Sequence, residues 1–421
     1  MSIASRVFGA QESGRPDGTI DCTATRLFRR QGDVLIQGDL SRPLALHLPR
    51  RLAFGSGGFA ACADWVATLA PGAILIVTSP PLAPLCEPLA AALRSQGRTV
   101  KVWDGVAKEP QVADLDLAIE AARDIKAVAV VAVGGGSAID VAKLAAALFD
   151  GHQRIGEVFG IGLLSHRALP LACLPTTSGT GSEVSPIAIV QDPLDGQKKG
   201  VISPHLVPDA AFVDPALTVG APRQVTAASG IDALTHCIEA YANRQAHPLI
   251  DGWALEGIRR IGRSLLRVVE QGDDLTARAD VAFGSLCGGM CLGPVNTAAV
   301  HALAYPLGSD FGVAHGVSNA VLLAHVMDFN LSAMPVRYAA IAHALGVEAG
   351  GDDMDVARRG VAAVHALVER CGMPSGIAAL GVPESAVPRM VDAAMKVQRL
   401  LVQNPRAVTP EDARDIYRRA F

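Results

Sequence analysis

The sequence lacks a strong excess of one charge, because 37 Lys and Arg residues stand against 41 Asp and Glu, which gives a net charge of -4 at pH 7. A nucleic-acid partner or an anionic lipid surface requires concentrated positive charge, and this balance does not supply it. Charge blocks, internal repeats and low-complexity tracts are also absent. We therefore expect no nucleic-acid partner, and we expect function to depend on local sites.

Signals for disulfides and for export are absent as well. The eight cysteines are scattered, without CxxC spacing or the density of a disulfide scaffold, so we expect buried thiols. The N-terminal residues contain no apolar run that resembles a signal peptide, and this favours a cytoplasmic protein.

The mean hydropathy of +0.31 is high enough to raise the question of a membrane span. The longest uncharged stretch, residues 281–309, is long enough to cross a bilayer. It contains prolines, several glycines and His301, which are poorly suited to a lipid-facing helix. We expect a buried core segment that carries functional residues, and no membrane span.

The chain of 421 residues, 50% of them hydrophobic, is long enough for two or three domains. Short apolar runs rich in β-branched residues alternate with helical patterns and predict strands over 73–78, 99–103, 127–133 and 169–174, with helices over 85–95 and 112–124. This βαβαβ order is typical of a parallel sheet covered on both faces, as in dinucleotide-binding domains.

Helical periodicity dominates after about residue 222. We therefore predict an irregular N-terminal segment at 1–45, an α/β dinucleotide-binding domain at 46–220, and an all-helical domain at 221–421.

A glycine turn stands where the third of these strands meets a helical pattern, and it comprises Gly134, Gly135, Gly136 and Ser137. Glycines let the backbone approach a pyrophosphate, and the free N–H groups at a helix start favour its negative charge. The turn lacks the GxGxxG fingerprint, so an ordinary structural turn stays open as an alternative.

A second loop, at residues 175–184, follows the predicted strand over 169–174. Beside two glycines it offers the hydroxyl side chains of Thr176, Thr177, Ser178, Thr180 and Ser182. An ordinary polar turn has the same composition. Two such loops at strand ends of one α/β domain favour a nucleotide in the cleft between them.

Asp232 and His236 are four residues apart in a helical pattern, so they share one helix face and can bind one cation. A hydrogen-bonded core pair has the same spacing and stays an alternative. Downstream, His301 and His315 lie in apolar segments, and burial of three imidazoles and a carboxylate is costly unless something pairs them. A divalent metal, Zn or Fe(II), suits these side chains, and an open position on it would polarise a substrate oxygen.

At this point the sequence resembles the iron-containing (group III) alcohol dehydrogenase family, from about residue 52 to the C-terminus. The resemblance lies in GGGSAIDVAK at 134–143, PTTSGTGSEVSP at 175–186, GIDALTHCIEAY at 230–241, HALAYPLG at 301–308, His315-Gly and Asn404-Pro-Arg.

The resemblance implies a metal-dependent NAD or NADP oxidoreductase that interconverts an alcohol and an aldehyde or ketone by hydride transfer. It implies a homodimer with a small-molecule substrate in the cleft between the two domains. The family's metal ligands, for Fe(II) or Zn(II), match Asp232, His236, His301 and His315, and its cofactor-binding residues match Gly134 to Ser137, Thr176, Thr177 and Lys198. We add Thr180 to the cofactor side.

Two positions depart from the family. Many members carry a further histidine, often invoked in proton relay, where this chain has Tyr305; a tyrosine can bond a substrate oxygen or pass a proton, or simply pack. Members that prefer NAD often have an Asp where this chain has Ser79, so no carboxylate repels a 2′-phosphate and NADP is acceptable.

Two other functions stay open at this stage. One is a metal- and NAD-dependent lyase or cyclase of the dehydroquinate synthase type, which needs several Lys and Arg near the metal, and residues 281–309 contain none. The other is a non-catalytic nucleotide-binding protein with a vestigial site, which four intact ligands disfavour.

Overall fold

The computed structural model describes residues 40–421 except 108, 193, 195 and 196. Most of the irregular segment predicted at 1–45 lies outside these residues. The strands are β1 (Arg51–Phe54), β2 (Ala73–Val77), β3 (Val100–Trp103), β4 (Ala127–Gly134), β5 (Gly160–Ile161), β6 (Leu171–Pro175), β7 (Ile187–Gln191), β8 (Lys198–Ile202) and β9 (Ala210–Val213).

The helices before β9 are α1 (Gly58–Ala67), α2 (Glu87–Ser95), α3 (Val112–Asp124), α4 (Gly136–Leu148) and α5 (Ile155–Val158). Those after it are α6 (Arg223–Tyr241), α7 (Pro248–Glu270), α8 (Leu275–Leu292), α9 (Ala299–Phe311), α10 (His315–Asn330), α11 (Pro335–Ala344), α12 (Asp353–Arg370), α13 (Val387–Ala394), α14 (Gln398–Leu401) and α15 (Pro410–Arg419).

Six strands form one parallel sheet in the order β1-β9-β6-β4-β2-β3. Its central strands are buried on both faces. Ile74 and Ile76 of β2 pack into the core that contains α1 and α2, whereas Leu75 and Val77 pack into the core that contains α3 and α4. Alternate residues of an apolar strand thus bury both faces, and the predicted doubly covered parallel sheet is confirmed.

The strand order changes direction at β2, which lies between β3 on one side and β4 on the other. In such sheets, ligands bind in the crevice outside the carboxyl ends of the strands at this point. The hydroxyl of Thr78, just after β2, donates a hydrogen bond of 2.7 Å to the carbonyl of Val133 in β4. The glycine turn at the end of β4 therefore opens directly into this crevice.

A second, three-stranded sheet has the order β5-β8-β7, with β7 antiparallel to β8. The sequence patterns did not predict these strands, nor β1 and β9. Each is five residues or shorter, and β8 begins with Lys198 and Lys199. Short runs with charged residues give a weak periodic signal, and their strand pairing depends on neighbours that are distant in sequence.

Beyond β9 the described chain is helical, and its helices share one large hydrophobic core. Helix α6 is at its centre, and almost every residue from Thr226 to Tyr241 is buried. The uncharged stretch at 281–309 is divided between α8 and α9. Among the described helices, none is both long and apolar enough to cross a membrane.

Candidate metal and cofactor site

Three helices bring one carboxylate and three imidazoles together. The Oδ1 atom of Asp232 lies 3.9 Å from Nε2 of His236, 3.6 Å from Nε2 of His301 and 3.5 Å from Nε2 of His315. The first two residues are one turn apart on α6, while the other two belong to α9 and α10. The side chains of Asp232, His236 and His301 are buried. The His315 side chain is 31% exposed and lines the cleft.

Neighbouring acceptors determine which imidazole nitrogens face Asp232. Glu239, buried on α6, contacts Nδ1 of His301 at 2.5 Å through Oε2 and accepts the N–H of Val300 at 2.6 Å through Oε1. Nδ1 of His236 lies 3.3 Å from the carbonyl oxygen of Gly179. In both rings Nδ1 therefore carries a proton, and Nε2 is directed towards Asp232, the arrangement that metal-binding histidines adopt.

The electrostatics of the cluster favour a cation at its centre. Burial raises the pKa of Asp232, but the three imidazoles outweigh burial and lower it well below its usual range. Burial lowers the pKa of His236, and it lowers that of His315 to about 4. Burial also acts downward on His301, but Glu239 and Asp232 outweigh it and raise its pKa to about 10. A positive charge is thus stabilised between these two buried carboxylates.

Asn319, one helical turn after His315, occupies the middle of the cluster. Its Nδ2 donates to Oδ1 of Asp232 at 2.7 Å and lies 3.2 Å from Nε2 of His301 and 3.3 Å from Nε2 of His315. Its Oδ1 atom is buried and has no hydrogen-bond partner among the described residues. One amide thus contacts the carboxylate and two imidazoles. The carboxylate of Asp232 and the three imidazoles are a set of ligands that fits Fe(II) or Zn(II).

The glycine turn packs tightly against the second loop. A Cβ atom on Gly136 would lie 2.5 Å from Cγ2 of Thr180, and one on Gly135 would lie 3.3 Å from Oγ1 of Thr177. The amide of Thr176 donates to the carbonyl of Gly134 at 3.0 Å. Gly136 also begins α4, whose free N–H groups favour a phosphate.

Two charged side chains of α4 also form hydrogen bonds with this loop and the strand that follows it. Asp140 accepts from the hydroxyl of Ser182 at 2.5 Å and from the amide of Ile189 at 2.9 Å. Lys143, fully buried, donates to the carbonyls of Ser185 and Ile187 at 2.8 Å each. The Asp and Lys of the GGGSAIDVAK run therefore act as structural partners of the loop.

The loop also reaches the helical region. Gly181 has a φ of +60°, and a Cβ atom there would lie 2.3 Å from the Cα of Gly289 on α8. Only glycine permits this backbone conformation at so close an approach. The carbonyl of Gly179, two residues earlier, contacts His236. One loop therefore packs against the glycine turn and orients a histidine of the cluster.

A cleft of about 170 Å³ joins these features. The sequence-predicted residues that line it are Asp232, His236, His301, His315, Gly136, Ser137, Thr180, Lys198 and Tyr305. The Lys198 ammonium pairs with Glu109 at 2.9 Å. Gly134, Gly135, Thr176, Thr177 and Ser79 are not among the lining residues. Ser79 lies between β2 and a short 3-10 turn at 80–86 and makes no capping hydrogen bond.

Three residues of this site escaped the sequence analysis. Glu239 lies seven residues after Asp232 and three after His236. This helical spacing indicates that the three polar residues share one face of an apolar helix. Asn319 lies four residues after His315, so helical spacing places the two on one face. Arg399, which donates to the Tyr305 hydroxyl at 2.8 Å, gave no local signal.

The protein combines a parallel sheet of the nucleotide-binding type with helices that present three imidazoles and a carboxylate, and one cleft joins the two. This combination is typical of the class of metal-dependent dehydrogenases. Comparison with known proteins agrees with this class. The model of the iron-containing alcohol dehydrogenase family matches residues 49–215, and that of the C-terminal region of the Fe-containing alcohol dehydrogenase family matches residues 226–421.

Among curated relatives, long-chain-alcohol dehydrogenase 1 of Geobacillus thermodenitrificans is 41% identical over 354 residues, which cover 83% of this chain and 89% of that protein. A solved 1,3-propanediol oxidoreductase superposes with a TM-score of 0.87 at 32% identity and covers 90% of this chain and 100% of its own. A sulfoacetaldehyde reductase from Bifidobacterium kashiwanohense, solved with NAD⁺, gives 0.80 at 27%, covering 90% and 99%.

The chain therefore belongs to the iron-containing alcohol dehydrogenase family. It is an oxidoreductase that interconverts alcohols and aldehydes, as the sequence resemblance implied.

Removing the Glu239 charge provides a test of the cluster as a metal site. We expect Glu239→Gln to weaken Fe(II) or Zn(II) binding by about 10- to 100-fold, because the carboxylate that orients His301 and raises its basicity is lost. Competition with a chelator measures the affinity. The matched control is Glu256→Gln, which removes a surface carboxylate paired with Arg260. Unchanged affinity in Glu239→Gln, with folding intact, would contradict the assignment.

Proposed function

We propose that the protein transfers hydride between a nicotinamide dinucleotide and the carbonyl carbon of a small substrate, with a divalent metal held by Asp232, His236, His301 and His315. The observation that carries this proposal is the position of three Nε2 atoms within 3.9 Å of Oδ1 of Asp232, on a cleft that also contains Gly136 and Ser137.

The bound metal would supply Lewis-acid polarisation of the substrate oxygen. The chain's own residues do the remaining work. The N-terminus of α4 would bind the cofactor pyrophosphate, and Lys198, which pairs with Glu109, lines the same cleft. Glu239 and the Gly179 carbonyl hold two imidazoles in position, which keeps the reacting groups aligned without reorganisation during the reaction.

The cofactor side comprises the residues predicted from sequence. We expect the phosphate-binding surface to be formed or supported by Gly134, Gly135, Gly136, Ser137, Thr176, Thr177 and Thr180. Lys198 and Ser79 belong to the same predicted set. The neighbour solved with NAD⁺ supports NAD as the cofactor, and the family supports Fe(II) as the metal. NADP and Zn(II) stay the alternatives.

We further propose the division of labour expected from the sequence, with cofactor binding in residues 46–220 and metal binding in 221–421. A homodimer and a cytoplasmic location stay predictions. The lyase of the dehydroquinate synthase type and the non-catalytic nucleotide-binding protein are not favoured, because the family models match dehydrogenases along most of the chain.

His301→Ala tests the proposal as a whole. We expect it to abolish turnover and most metal binding while the protein stays folded, because this imidazole bridges Asp232 and Glu239 at the centre of the cluster. Metal content by mass spectrometry and NADH or NADPH absorbance with an aldehyde are the measurements. The control is His343→Ala, an exposed histidine on α11. Full metal occupancy with near-normal activity in His301→Ala would show that the cluster is not the metal site.

Ser79→Asp tests cofactor choice. A carboxylate at the carboxyl end of β2 is expected to accept hydrogen bonds from the ribose hydroxyls of NAD and to repel a 2′-phosphate. The ratio of kcat/KM for NAD to that for NADP is therefore expected to rise. Ser95→Asp, at the exposed end of α2, adds the same charge away from the crevice and controls for net charge. An equal ratio in both variants would show that Ser79 does not face the ribose.

Tyr305→Phe and Tyr305→His test the proposed acid–base role of Tyr305. Because Arg399 donates to the phenol oxygen, the tyrosine keeps its own O–H free for a substrate oxygen. Phe preserves the packing and is expected to lower kcat by about 10- to 100-fold. His is expected to restore activity and extend it to lower pH, because imidazole titrates nearer neutrality. Superimposable pH–rate profiles for all three forms would leave Tyr305 as a packed wall residue.

A further inference from the structure

Arg399 is the least expected side chain of the cleft. It lies on the short helix α14, and its Nη2 donates to the hydroxyl of Tyr305 at 2.8 Å. Both side chains are half-buried. Both line the cleft that contains the cluster and also an adjoining cavity of about 620 Å³. The pair therefore stands where the two spaces meet.

Three other cations near this position, Lys198, Lys199 and Arg389, are neutralised by acidic partners, whereas Arg399 is not. Lys198 pairs with Glu109 at 2.9 Å, Lys199 with Asp192 at 2.6 Å, and Arg389 with Asp310 at 3.0 Å. Within the described residues, Arg399 has no carboxylate partner, and a neutral phenol is its one hydrogen-bond acceptor. A guanidinium has five N–H donors, so most of its hydrogen-bonding capacity remains available.

The adjoining cavity adds to this positive field. Besides the paired Lys198 and Lys199, its lining includes Arg399 and the exposed Lys396, and Asp310 is the one acidic residue among the described lining. That aspartate is already bound to Arg389. A cleft of one charge sign raises the local concentration of ligands of the opposite sign.

We propose that Arg399 binds an anionic group, a carboxylate or a sulfonate, at the end of the substrate remote from the reacting carbon. The planar guanidinium matches two oxygens of such a group. Its place beside Tyr305, one turn after His301 on α9, puts the anion on the wall of the cleft that also contains the cluster. This inference rests on the proposed function, and it makes Arg399 a residue that determines substrate specificity.

The test uses the metal-loaded full chain and two four-carbon aldehydes, succinic semialdehyde and butanal, which differ in the terminal charge. We expect the wild type to prefer succinic semialdehyde in kcat/KM. Arg399→Gln is expected to lower the ratio of the two kcat/KM values by about 10- to 100-fold, because a charge-assisted hydrogen bond is lost. The matched control is Arg358→Gln, which removes an exposed arginine of α12 paired with Asp355 away from both cavities and is expected to keep the wild-type ratio.

Calorimetric binding of butyrate and of propane-1-sulfonate gives a readout that does not depend on turnover. We expect Arg399→Gln to weaken binding of at least one of the two by about tenfold or more, and their order distinguishes carboxylate from sulfonate. An anion held by the metal alone would bind the variant and the wild type equally.

The possible outcomes separate the two hypotheses. A wild type without preference for the charged aldehyde, or a ratio unchanged in Arg399→Gln, overturns the inference while the proposed function stands. A raised KM for the dinucleotide at an unchanged aldehyde ratio also overturns it, because Arg399 then serves the cofactor. If neither aldehyde is reduced, the proposed function fails, and anion binding still decides the role of Arg399.

Discussion

The buried carboxylate of Asp232 is the constraint on which the helical region depends. It is 2% exposed and faces three imidazoles, one of which is held from behind by the equally buried Glu239. Two negative charges in an apolar interior are costly unless a cation compensates them. The raised pKa of His301 and the hydrogen bond that the Asn319 amide donates to Asp232 both reflect this requirement. A divalent metal would meet it most completely, and a metal bound there would also stabilise the packing of α6, α9 and α10.

The loop at 175–186 extends this constraint to the cofactor side. Its hydroxyl and glycine residues contact the turn after β4, Gly181 passes within backbone contact of α8, and the carbonyl of Gly179 orients His236. Sequence analysis assigned this loop to the nucleotide alone. The structure adds a contact with His236, so a shift of this loop would also move an imidazole of the cluster.

Sequence determined most of the architecture because its signals were local. Apolar β-branched runs predicted the central strands of the sheet, and the four-residue spacing predicted that Asp232 and His236 share a face. The same reasoning would have found Glu239, the next polar residue of that stripe. Strands β7 and β8 and the contact of the Arg399 side chain could not be predicted from local signals. The contact of Arg399 with Tyr305 joins residues 94 positions apart, and nothing in its leucine-containing segment indicates it.

This difference in predictability follows from burial. The proposed metal ligands Asp232, His236 and His301 lie in the core, where each contacts several partners, and a change at any of them would disturb packing as well as the proposed site. Tyr305 and Arg399 are half-buried and contact each other at the edge of the cleft. Relatives are named for substrates as different as long-chain alcohols and sulfoacetaldehyde. A wall whose side chains can change at small cost to the core is where such differences in substrate can arise while the metal cluster stays the same.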